Sequence, residues 1–174
     1  MNRVVAFMKE WFVPIAIALA LSFTVRVYIA EAVEIPSGSM IPTLQVNDRL
    51  FIEKVTDPSN LHVGDIVVFY PPVQGKEERF IKRLIGVGGD KIEVKDGALY
   101  RNDQKVDEPY IKEPMNYSYG PIVVPKGKFF FLGDNRNDSF DSHLWPTPFV
   151  DKGAIIGKAV FRYYPLNEMK EFVK

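Results

Sequence analysis

The alternation of apolar and polar positions divides this chain in two. From Trp11 to Val25 no residue is charged, and Val27-Tyr28-Ile29-Ala30 continues the apolar run beyond Arg26. Such a stretch is apolar on every face, unlike the one-sided helix of a soluble domain. About 20 apolar residues span a bilayer core, and this run reaches that length if Arg26 snorkels to an interface. Arg3 and Lys9 precede the run while Glu31 and Glu34 follow it. That asymmetry predicts a single membrane helix with a cytoplasmic N-terminus and an exported remainder. Ala30-Glu31-Ala32 also has the small-x-small spacing of a cleavage site, so a removable signal peptide is the competing reading. The expected division is a start and anchor over residues 1–32 and one domain over 33–174.

After Pro36 the periodicity becomes that of strands. Leu50-Phe51-Ile52-Glu53-Lys54-Val55 and Asp65-Ile66-Val67-Val68-Phe69-Tyr70 are short β-branched and aromatic runs bounded by Asn, Asp, Gly and Pro. Lys91-Ile92-Glu93-Val94 and Ala98-Leu99-Tyr100 flank Lys95-Asp96-Gly97, a hairpin signal. Lys128-Phe129-Phe130-Phe131-Leu132 follows a Lys126-Gly127 turn, and Ala154 to Tyr164 offers a last long strand interrupted at Gly157. Pro165 should end it, with one or two helical turns between Leu166 and Lys174. Residues 101–127, polar and rich in Tyr and Pro, read as an excursion from the core. Turn signals every 8–12 residues, with no helix between strands, predict a mainly β domain: a folded-over antiparallel sheet, open or barrel-like.

Composition narrows the chemistry. The 174 residues are 47% hydrophobic, with thirteen phenylalanines to supply a core. Lys+Arg and Asp+Glu balance at 22 each, which gives no basic footprint for nucleic acid. Cysteine is absent, so disulfides, thiolate catalysis and cysteine-bound metals are excluded. His62 and His143 are the only imidazoles, too few for an ordinary zinc site, and no cofactor is implied.

Three segments carry candidate chemistry. The first is Ile35-Pro36-Ser37-Gly38-Ser39-Met40-Ile41-Pro42-Thr43-Leu44, placed where the chain would leave a membrane. Ser39 is a nucleophile if a base takes its proton, and otherwise an ordinary turn residue. Its own N–H and the Ser37 hydroxyl are candidate oxyanion donors. The second is Phe80-Ile81-Lys82-Arg83-Leu84-Ile85, where strand alternation puts Phe80, Lys82 and Leu84 on one face. A lysine among apolar neighbours has its pKa lowered and can act as a base, whereas one on a solvated edge strand cannot. The third is Gly133-Asp134-Asn135-Arg136-Asn137-Asp138-Ser139-Phe140-Asp141-Ser142-His143. It reads as a polar loop or a weak calcium site, though without the regular acidic spacing of an EF-hand. It also supplies His143 as an alternative base, giving a conceivable Ser39-His143-Asp triad.

Taken in order, these segments resemble the type I signal peptidases, membrane-anchored Ser/Lys proteases that remove signal peptides from exported proteins. The matching pieces are the anchor, residues 35–44, Gly64-Asp65-Ile66-Val67, Phe80 to Gly86 with Gly89-Asp90, and Gly133 to Arg136 with Ser139 and Asp141-Ser142. The resemblance implies Ser39 as nucleophile, Lys82 as general base and Ser37 beside the Ser39 amide in the oxyanion hole. It implies that Ser139 orients the lysine ammonium and that Asp141 is a structural carboxylate. Val33, Ile35, Met40, Leu44, Phe80 and Ile81 fall where the family lines shallow pockets for the −1 and −3 side chains. It further implies preprotein substrates and apolar surface resting on a lipid bilayer. The bilayer would be that of the cell membrane, or of a thylakoid.

One position departs from the pattern. Most bacterial members carry Arg where this chain has His143, and that Arg pairs with the carboxylate matching Asp141. A histidine there makes the pair sensitive to pH near neutrality. The Asp-Ser-His ending is similar to the cyanobacterial and plastid branch of the family. An enzyme of this specificity could also cut itself after Ala32. Two rivals share features with this reading: a self-cleaving Ser/Lys repressor, which needs a DNA-binding domain, and an anchored β-rich binding module without activity.

Overall fold

A computed structural model describes residues 2–24, 30–54, 57–75 and 78–172. Helix α1 (Asn2–Thr24) precedes a body built from strands β1 (Ala30–Glu34), β2 (Arg49–Lys54), β3 (Ile66–Phe69), β4 (Phe80–Val87), β5 (Lys91–Lys95), β6 (Ala98–Arg101), β7 (Gln104–Lys105), β8 (Tyr119–Val123), β9 (Lys128–Leu132), β10 (Val150–Asp151), β11 (Ile155–Tyr164) and β12 (Lys170–Glu171). The larger sheet has the order β1-β2-β11-β3-β4-β9-β10, with β12 added to β11; the smaller has the order β7-β6-β5-β8. All pairings are antiparallel, which is the mainly β architecture that the alternation predicted.

Burial follows from pattern. β2 alternates buried and solvent-facing residues, with Leu50 and Ile52 inward, as a half-buried strand must. β3 and the middle of β4 are buried throughout, which fits central strands with short continuous apolar runs. In β9 the alternation feeds two cores: Phe129 and Phe131 join one with Val67, Phe69 and Leu84, while Phe130 and Leu132 join another with Ile85, Ile92 and Leu99. A third core gathers Ile35, Met40 and Leu44 under Ile66, Val68 and Ile81. β4 therefore contributes to all three, and its backbone is held firmly on both faces.

Several expectations change. Gly157 does not interrupt the last strand. β11 runs through it beside β2, and a Cβ there would strike the Glu53 carbonyl, so the glycine permits close strand approach. The excursion is largely absorbed: β7 and β8 complete the smaller sheet, and Met115 and Val124 are buried in its core. The tail makes one turn over Leu166–Glu168 and then pairs as β12.

The membrane anchor needs a similar correction. No helix among the described residues is long and apolar enough to cross a membrane. The expected span relied on Arg26 and Val27 to Ile29, which lie outside the described residues, as do the side chains of Arg3 and Lys9. Ala30-Glu31-Ala32 is strand, paired with Glu53, Ile52 and Phe51 of β2, so a cut after Ala32 would first require lifting β1 from its partner. Trp11, Phe12, Val13, Ile15, Ile17, Leu19, Leu21 and Phe23 of α1 are nevertheless all more than half exposed.

Candidate active site

Residues 38–40 form a single turn of 3₁₀ helix, closed by the Ile41 N–H on the Gly38 carbonyl at 3.1 Å and followed by the Leu44 N–H on the Met40 carbonyl at 3.0 Å. Burial of Met40 and Leu44 pins this turn to the core. Asn135 clamps it from the polar loop after β9: its N–H donates to the Ser39 carbonyl and its side-chain amide to the Gly38 carbonyl, both at 3.1 Å. The approach is close enough that a Cβ on Gly133 would collide with the Ser39 carbonyl and with Ser139, so only glycine fits there. Ser37 is extended, makes no side-chain cap to the turn, and sets its Oγ 3.3 Å from that of Ser39.

Lys82 comes to this turn from β4. Its ammonium donates to Ser39 Oγ at 2.7 Å and to the Ile81 carbonyl at 3.1 Å, with the Phe80 ring 5.1 Å away. The residue is only 4% exposed. Burial lowers its pKa to about 8, a shift that the Asp141 and Asp134 carboxylates partly offset. The solvated-edge reading of this lysine is thereby removed.

The remaining expected residues divide. Asp141 is fully buried and accepts from the Gly133 N–H at 2.9 Å and from the His143 N–H at 3.3 Å. Its Oδ1 lies 2.6 Å from His143 Nδ1, so His143 is engaged by Asp141; it also stacks on Tyr117 at 4.0 Å. Ser39 Oγ faces Lys82 and Ser37 instead. Ser139 is buried, yet its Oγ has no hydrogen-bond partner among the described residues; the Lys82 bonds go to Ser39 and the Ile81 carbonyl. Asp134 and Asp141, the carboxylates a calcium ion would need, are occupied by cationic side chains and amides.

Val33, Ile35, Phe80 and Ile81 come together around a cavity of about 270 Å³ beside the dyad, with Ala32 and Val68. Met40 and Leu44 do not line it, because the turn tucks them into the core below. At its rim Glu31 and Arg79 join the two walls through a 2.6 Å ion pair. The chain's order gave no sign of that pair, nor of the bidentate Arg83–Asp134 bridge at 2.8 and 2.6 Å. A second charged residue within the apolar β4 run was the available signal for Arg83.

A family model described as signal peptidase, peptidase S26, matches residues 8–164. The chain belongs to the signal peptidase family. Signal peptidase I of Leptolyngbya laminosa is 44% identical over 164 residues, covering 90% of this chain and 80% of the relative. The chloroplastic thylakoidal processing peptidase 1 of Arabidopsis thaliana is 42% identical over 170 residues, 90% of this chain and 48% of that protein. A crystal structure of a signal peptidase I from Enterococcus faecalis V583 aligns with 57% of this chain and 96% of its own at 28% identity, with a TM-score of 0.47. The peptidase expected from the ordered motifs is thus found, and the Ser39–Lys82 contact lies inside the matched region of this signal peptidase family member.

Proposed function

We propose that this chain removes N-terminal signal peptides from exported preproteins after a small-x-small site, with Ser39 attacking and Lys82 as general base. The observation that carries the reading is the 2.7 Å contact between Ser39 Oγ and a buried lysine. With a pKa near 8, roughly a tenth of Lys82 is neutral at pH 7, about 300-fold more than for a lysine at its ordinary value. The neutral amine takes the Ser39 proton along this contact while Oγ adds to the scissile carbonyl. The Ser39 N–H and Ser37 hydroxyl would receive the oxyanion. The lysine then returns the proton to the leaving amine, and water releases the acyl chain by the reverse sequence.

The small apolar cavity supports a preference for small side chains at −1 and −3, since greater volume there would clash with Val33, Ile35, Phe80 or Ile81. Exposed Phe140 flanks the site, meeting Phe80 edge-on at 6.4 Å, and Leu144 is exposed on the same loop. With the exposed apolar side chains of α1, they support contact with a bilayer. Arg3 and Lys9 before the apolar run, against Glu31 and Glu34 after it, support a cytoplasmic N-terminus and a body on the exported side.

The test is cleavage of a preprotein bearing Ala-x-Ala by the detergent-solubilised full chain, beside Ser39→Ala and Lys82→Ala. Wild type should cut after the −1 alanine while both variants fall to background. Equal inactivity of all three would leave a binding module, and retained activity in Lys82→Ala would mean another base.

A further inference from the structure

The excursion between β6 and β8 sends one acidic residue beneath the catalytic loop. The Glu108 side chain is 4% exposed, and its Oε1 accepts from Arg136 Nη2 at 2.5 Å and from the Tyr110 hydroxyl at 2.9 Å. The Tyr110 ring lies 3.9 Å from the Arg83 guanidinium and 5.8 Å from that of Arg136. Arg83 holds both oxygens of Asp134, which also accepts from Thr43 at 2.5 Å. Arg136 donates to the Gly133 carbonyl and stands 3.9 Å from Asp134 Oδ1. Two buried guanidinium ions therefore face Asp134, and Glu108 is the carboxylate that takes the closer contact of one of them.

We propose that Glu108, supported by Tyr110, is a positioning residue for the Ser39/Lys82 pair, acting through Arg136 and the loop of residues 133–136. The inference rests on the Ser/Lys reading above. Two links run from this network to the dyad. Gly133 and Asn135 bear directly on the Ser39 turn, so a shift of Arg136 moves the nucleophile. The groups facing Lys82 are Ser39 from the turn, Asp134 and Asp141 from the loop after β9, and the apolar Phe80 on its own strand. The groups facing Glu108 are Arg136 and Tyr110, with Tyr117 in its field.

Without the Glu108 charge, Arg136 turns to Asp134, the nearest remaining anion. The field of Asp134 at Lys82 is then more fully cancelled, and the lysine gives up its proton at lower pH. Glu108→Gln should accordingly shift the acid limb of kcat/KM downward by about half a unit, so that the rate at pH 7, as a fraction of its own plateau, rises about threefold. Displacement of the Ser39 turn should lower plateau kcat about tenfold with KM unchanged, because Glu108 does not line the substrate cavity. In Glu108→Met/Arg136→Met an apolar pair replaces the ions, a change that buried pairs often tolerate. That variant should keep the wild-type limb, since no net charge is added, and still lose plateau kcat.

The experiment is the pH profile of preprotein cleavage by the full chain, with both variants and Lys82→Ala run in parallel and melting temperatures recorded. Should Glu108→Gln not fold, a double variant with wild-type kcat overturns the inference. A folded Glu108→Gln whose profile superposes on wild type does the same, provided Lys82→Ala is inactive. A Lys82→Ala chain that still cleaves overturns the dyad and this inference together.

Discussion

Lys82 and Arg83 are adjacent cations on β4, both buried, yet the fold treats them oppositely. Successive residues of a strand point to opposite faces. On one face Arg83 finds a bidentate carboxylate in Asp134, the Gly64 carbonyl at 2.7 Å and the Tyr110 ring. On the other, Lys82 finds a serine hydroxyl and a main-chain carbonyl, with carboxylates only in its wider field. Arginine does not deprotonate in proteins, so a fully paired Arg83 is structural; a poorly paired lysine is reactive. The cavities repeat the contrast. The larger, about 840 Å³, lies on the Arg83 side, and its Lys158 and Arg162 are already paired with Asp65 and Asp48. The Ser39–Lys82 contact sits beside the cavity of about 270 Å³, where a charge was left without a direct counter-ion. Pairing, more than cavity size, marks the site.

Four measurements test this contrast. Lys82→Arg keeps the charge but removes the titration, and single-turnover cleavage should fall by at least about 10³-fold. Retained activity would end the distinction between the two cations. Arg83→Met leaves Asp134 buried with its main partner removed and should cost about 3–5 kcal/mol in urea unfolding; a loss below about 1 kcal/mol would mean that Thr43 and Arg136 suffice. With Lys82 acting as base, kcat/KM should rise about tenfold per pH unit below pH 8 and level off above it. A flat profile between pH 6 and 9 counts against a titrating lysine.

The smallest effect is on stability. Lowering the Lys82 pKa from 10.5 to about 8 corresponds to about 3 kcal/mol. Because the folded chain releases this proton at lower pH than the unfolded chain, the burden is full below pH 8 and lifts as pH rises toward 10.5. Lys82→Met relieves it but forgoes two hydrogen bonds of about 1 kcal/mol each. The net gain at pH 7 is about 1 kcal/mol, a rise of a few degrees in Tm, shrinking above pH 8. A variant less stable than wild type at pH 7 would show that the hydrogen bonds outweigh the buried charge.

β2 and β5 were legible from their two-residue period, β3, β4 and β9 from short runs rich in β-branched and aromatic residues, and β6 from the hairpin turn before it. β1, β7, β10 and β12 were not. Ala30–Glu34 has no strong β-former except Val33 and reads as the tail of an apolar helix; it is strand because β2 offers it a ladder. Glu108 was invisible for another reason. Nothing near it in the chain distinguishes it from the exposed Asp107 or Glu113, and its partner Arg136 is 28 residues away. The resemblance assigned Ser139 to the lysine ammonium, whereas Lys82 here donates to Ser39 and the Ile81 carbonyl: a resemblance names a role, but packing decides the rotamers.

Sequence alone determined the mainly β class, the candidate serine and lysine and the apolar N-terminal helix, because each depends on residue type and near-neighbour spacing. Only the tertiary structure decided that Lys82 rather than His143 meets Ser39, and that the excursion reaches under the loop of residues 133–136. Those outcomes depend on which groups are desolvated together, Ser39 and Lys82 being 43 positions apart in the chain, and desolvation belongs to the packed molecule, not to any segment of it.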